Sequence, residues 1–149
     1  MPDEKHDAPK PPSARDRLAR MLRRDYDIGR SLDDRAFIAS RNGPNVALTS
    51  GQAKSRLAAD HLKLQGTTVG RTALDETWQA VEGIALDKEK IELPLRVAEH
   101  DDKVVVDLGD PSGRCVIVDP GGWRIENRSP VTFRRSKAMR ALPEPTSGT

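Results

Sequence analysis

Residues Leu93 to Arg135, LPLRVAEHDDKVVVDLGDPSGRCVIVDPGGWRIENRSPVTFRR, carry the densest pattern in this chain of 149 residues. The apolar residues come in five short runs: Leu93, Leu95 and Val97; Val104 to Val106; Cys115 to Val118; Trp123 and Ile125; Val131 and Phe133. Between the later runs stand Asp101-Asp102, Asp110-Pro111-Ser112-Gly113, Asp119-Pro120-Gly121-Gly122 and Ser129-Pro130. This is turn chemistry, because proline presets φ, glycine accepts positive φ, and Asp or Ser bonds the local backbone. The pattern predicts an antiparallel β-meander of four to five strands over residues 93–135. Side-chain alternation then places Val104, Val106 and Leu108 on one face, and Val105 and Asp107 on the other. Trp123 and Phe133, each at an alternating position among apolar neighbours, are expected in the core.

Upstream of the meander the period changes from two to that of helices. Ser13 is a candidate N-cap, and Ala14, Leu18, Met21 and Leu22 form one stripe of a helix ending near Asp25. Short strands are expected over 26–30 and 35–39, with a further one at Val46 to Leu48. A second helix covers 52–65, with Ala53, Leu57, His61 and Leu64 on one side, and Gly66 stops it. Thr72 is expected to cap a third helix through the spacing Thr72-x-x-Asp75, with Leu74, Trp78, Val81 and Ala85 on its apolar face. The fold class is therefore α+β: three helices in a helical half, 13–87, and the meander in the C-terminal half. Together they are read as a single domain over 13–142, in which the open sheet covers the apolar helix faces. Residues 1–12 and 143–149 are polar and proline-rich and are expected to be flexible tails.

Composition limits the function classes. The chain is 36% hydrophobic with a net charge of +2, which suits a globular protein and does not by itself imply a nucleic-acid partner. Its single cysteine, Cys115, cannot form an internal disulfide, so a reducing, cytoplasmic location is expected. The start MPDEKHDAPKPPS lacks the apolar run of a signal peptide, and no apolar run is long enough for a membrane span. There is no G-x-x-x-x-G-K-[ST] phosphate-binding loop, no zinc-ligand spacing and no triad, so no cofactor and no metal are expected and catalysis is not the leading reading.

Several short motifs together resemble one family. Leu95-Arg96-Val97-Ala98, Asp107-Leu108-Gly109-Asp110, Pro120-Gly121-Gly122-Trp123, Ser129-Pro130-Val131, Phe133-Arg134-Arg135 and Leu142-Pro143 stand in the order found just before the helicase ATPase domain of actinobacterial, phage and plasmid primase-helicase proteins. Those are similar to the poxvirus-type primase-helicases of mobile elements. Tyr26-Asp27-Ile28 and Gly43-Pro44-Asn45-Val46-Ala47-Leu48 add a weaker echo, so the resemblance spans roughly residues 18–145. In the family an ATPase domain follows, and this chain contains none. The resemblance implies an accessory domain of mobile-element replication machinery that positions DNA, RNA or a helicase ATPase on another chain. The alternative is a stand-alone protein-interaction module that docks through the meander or its edge strand.

Candidate contact residues follow from charge. Arg134, Arg135, Lys137 and Arg140 lie in one short basic segment, with Arg124 and Arg128 before them, and are the first candidates for phosphate contact. Arg17, Arg20 and Arg24 form a second set along the first helix; the bland alternative is a solvated face answered by Asp16 and Asp25. Asp107 and Asp110 are the acidic pair that invites a divalent cation or acid/base chemistry, and their reading as turn residues stands beside it. Cys115 is expected as a small buried hydrophobe, and His61 as a satisfied, half-buried imidazole.

Overall fold

A computed structural model describes residues 10–147; the expected tails lie partly outside that range. Helix α1, Ala14–Asp25, starts where expected, with Ser13 Oγ accepting from Asp16 N at 3.1 Å, and buries Leu18, Met21 and Leu22. It runs directly into strand β1, Tyr26–Ser31, which pairs antiparallel with β2, Ala36–Ser40, so that Ile28 faces Ile38. Helix α2, Ser50–Gln65, ends at Gly66 in the left-handed conformation, φ 72. Helix α3, Arg71–Ala85, is preceded by Gly70 at the N-cap rather than by Thr72, which falls inside the first turn. A short strand β3, Lys90–Ile91, joins the far end of β1 in parallel, where the charged run around it had suggested only a connection.

The meander is present with four strands: β4, Val97–His100; β5, Lys103–Asp107; β6, Cys115–Asp119; and β7, Gly122–Glu126, hydrogen-bonded in that order. Its first strand is shorter than the alternation from Leu93 had suggested. Leu93 instead packs with Phe37, Ala39 and Ala47. The expected fifth strand leaves the meander altogether. Phe133 forms a parallel bridge with Val46, and Leu48 bridges Ile38, so the Pro44–Leu48 segment lies between β2 and the returning chain.

This changes how the core is divided. The helices do not rest on the meander. They pack on β1 and β2 around Leu18, Ile38, Leu57, Trp78 and Val81, each such buried side chain contributing roughly 1.5–3 kcal/mol. The inner face of the meander, Val105, Cys115 and Ile117, is covered by Phe133 and Val131. Asn45 holds the two halves together. Its amide donates to the Ser129 carbonyl at 3.0 Å, its Oδ1 accepts from Thr132 Oγ1 at 2.8 Å, and its carbonyl accepts from Phe133 N at 3.1 Å. Gly113 closes the seam: at φ +82, a Cβ there would stand 2.6 Å from Pro44 Cα.

Candidate functional site

Strand register puts Val97, Glu99, Val104, Val106, Val116, Val118, Trp123 and Ile125 on the outer face of the meander. Seven of these eight positions are apolar, and none is basic. Burial of the opposite face shows which side looks outward, and on the outer side Val97 is 56%, Val104 38%, Val118 40% and Trp123 43% exposed, while Val116 is buried and Val106 and Ile125 are half-buried. Trp123 is therefore not a core residue, contrary to expectation. It pairs with Val118, which pairs with Val104, so the three form a continuous row across β5, β6 and β7. An alternation argument cannot separate core from surface where both faces of a sheet are apolar. Phe133, by contrast, is buried as expected. The axes of the two outer strands, β4 and β7, lie about 14 Å apart. Beyond one end lie exposed Asp101 and Asp102 at the β4–β5 tip, both with positive φ, and half-buried Asp119 at the β6–β7 tip.

The seven candidate cations do not form one surface. Arg135 is turned inward: its Nε and Nη2 donate to Asp107 Oδ2 and Oδ1 at 2.9 and 2.7 Å, and its Nη1 donates to the Asp110 carbonyl at 2.7 Å. Arg17 lies between helices, donating from Nε to His61 Nε2 at 3.0 Å and from Nη1 to the Pro12 carbonyl at 2.6 Å. Arg24 is paired with Asp25. Arg20, Arg134, Lys137 and Arg140 are exposed and have no ion-pair partner among the described residues. Arg134 and Lys137 come together at a cavity of about 420 Å³ that Thr49, Gly51, Gln52, Leu93 and the Arg135 stem also line. The first turn of α2 opens there with no acidic residue and no side-chain cap, which leaves its N–H groups and positive dipole end unanswered. Arg140 sits elsewhere, its carbonyl taken by Arg96 beside the β4–β5 pair.

Asp107 and Asp110 also part company. Asp110 is the expected turn residue, its Oδ1 accepting from Gly113 N and Arg114 N at 2.9 Å each. Asp107 does both: its Oδ1 accepts from Gly109 N at 3.0 Å, and the carboxylate that ends β5 is buried against Arg135. Among the described residues no group of three or more His, Cys, Asp or Glu is arranged to hold a metal ion. His61 is fully buried between Arg17 and the Thr67 carbonyl, 2.9 Å from Nδ1, which sets the Nδ1–H tautomer. Burial, and then the Glu126 charge, raise the Cys115 thiol above its usual range, so it behaves as an inert core group.

A second cavity, of about 510 Å³, lies on the other side of Gln52 and Arg135, lined by Tyr26, Ser40, Pro44, Val46, Leu48, Arg56, Asp60 and Pro111. Nothing in the sequence marked it. Tyr26, a scarce aromatic expected among the core anchors, is buried, and its hydroxyl donates to Asp60 Oδ2 at 2.5 Å. Burial, and then the Asp60 carboxylate, hold the phenol well above its ordinary range, so it stays protonated.

The molecule is thus an α+β module with a largely exposed outer sheet face, a basic corner at the start of α2, and a cleft between its halves with one polar and one apolar wall. No helix among the described residues is long and apolar enough to cross a membrane. No family model, no curated protein and no solved structure matches the chain.

Proposed function

We propose that this chain is a non-catalytic accessory module of mobile-element DNA replication machinery, and that it holds a helicase ATPase domain on another chain through the outer face of its meander. The observation that carries this reading is the exposed row Val104, Val118 and Trp123, which Glu99 continues on β4, with Val97 diagonal to Val104. An apolar face of this kind gains from being covered by another apolar surface. It offers no cation, so it does not suit a phosphate backbone. The exposed acidic tip at Asp101 and Asp102 suits a partner whose apolar patch is edged by basic groups. The assignment to replication rests on the resemblance of the motifs. The test is a calorimetric titration of the protein with the ATPase domain encoded by the same element, with tryptophan emission followed in the wild type alone. Binding in the micromolar range or tighter is expected, with a blue shift of Trp123 emission, and Val118→Lys with Trp123→Lys should abolish it. Binding that the double variant leaves unchanged would remove this face as the docking site; no binding at all would remove the ATPase as partner.

A second reading, nucleic-acid contact, is favoured by Arg134 and Lys137 standing exposed beside the unanswered first turn of α2. Phosphate oxygens are well matched by such a corner, and affinity should be weak and salt-dependent.

A further inference from the structure

The two cavities share Gln52 and Arg135, so the basic corner and the Tyr26–Asp60 cleft adjoin each other. Along α2, Gln52, Arg56 and Asp60 recur at i, i+4 and i+8 and line the cleft in a row of about 12 Å. The facing wall is apolar: Pro44, Val46 and Leu48 from the segment that joins the halves, and Pro111 from the β5–β6 connection. We propose that this cleft takes an unpaired base of a single-stranded nucleic acid, its strand running past Gln52 to Arg134 and Lys137. The proposal rests on the nucleic-acid reading above. A base in a duplex has both ring faces covered by stacking, so only an unpaired base can lay a face on the proline and aliphatic wall. The polar wall suits the edge of such a base. Tyr26 occupies Asp60 Oδ2 and leaves Oδ1 to accept from an amino or imino N–H, while the Gln52 amide both donates and accepts. Asp60 also disfavours a phosphate at that end, which directs the backbone toward Arg56 and the basic corner. Every base carries an N–H donor, so sequence preference should be weak.

The test is fluorescence anisotropy at low salt with three probes of equal strand length: a single-stranded oligonucleotide, its duplex, and the same strand with every base removed. DNA and RNA strands run in parallel tell the two sources apart. The single strand should bind at least about tenfold more tightly than either of the others, beyond what backbone charge supplies. Pro111→Trp, which fills the cleft from an exposed turn, should bring the single strand down to the level of the abasic strand. Should that variant shift the unfolding midpoint, Gln52→Ala serves instead and should erode the same preference. Equal binding of all three probes would overturn the cleft while leaving a phosphate-contact surface in place. No binding of any probe to the wild type would overturn the nucleic-acid reading beneath it.

Discussion

Arg135 grips Asp107 through two parallel bonds at 2.9 and 2.7 Å, joining the returning C-terminal chain to the end of β5, with the Asp107 side chain only 3% exposed. Removing one partner strands a buried charge. Arg135→Met or Asp107→Asn should therefore cost about 3–5 kcal/mol, whereas Asp107→Leu with Arg135→Met should recover much of the loss. Urea unfolding of the single and double variants measures this; equal losses in all three would mean that the pair contributes through packing alone.

Trp123 and Phe133 should respond oppositely to truncation. Phe133→Ala should cost roughly 3–5 kcal/mol, as removal of a buried large aromatic does. Trp123→Ala should cost under about 1 kcal/mol, as surface substitutions do, and acrylamide should quench Trp123 far more than buried Trp78. A large loss at Trp123 would show that this face is covered in solution.

Replacing Arg134 and Lys137 together by Gln should flatten the salt dependence of single-strand binding by about 1.4 units, at roughly 0.7 per phosphate contact. The unfolding midpoint should not move, because these side chains are exposed. Arg17→Gln should do the reverse, lowering stability through the lost His61 contact with little change in the salt slope. An anisotropy salt series on both proteins checks this, and an unchanged slope in the Arg134/Lys137 double variant would rule out the basic corner.

Asp110 gives the molecule an acid-sensitive turn. Partial burial raises its proton affinity, but the Arg114 guanidinium and N–H, the Ser112 hydroxyl and the Gly113 N–H outweigh this and hold its carboxyl below the usual 3.8. A carboxylate depressed in the folded state contributes stability that is fully present above its unfolded value and is lost as pH falls through its folded value. Wild type should thus exceed Asp110→Asn in stability by a constant margin at neutral pH, and the margin should shrink to nothing below pH 3.8. Denaturant melts across that range would contradict this if the margin were flat.

The sequence by itself determined the local elements. Ser13 caps α1, Gly66 ends α2, the Asp101-Asp102 tip and the Asp110 turn fold the meander, and each follows from backbone preferences of a few neighbouring residues. Tertiary structure alone decided which faces were covered. Val105 and Val104 are equally apolar, but the chain returns through Phe133 and Val131 over Val105, so Val104, Val118 and Trp123 face outward. The same return chose between adjacent cations, drawing Arg135 onto Asp107 and leaving Arg134 in solvent, while the packing of α2 on the β1–β2 hairpin set Tyr26 against Asp60 from 34 residues away. Alternation along a strand says that two faces differ. Only packing between residues distant in sequence says which of them meets water.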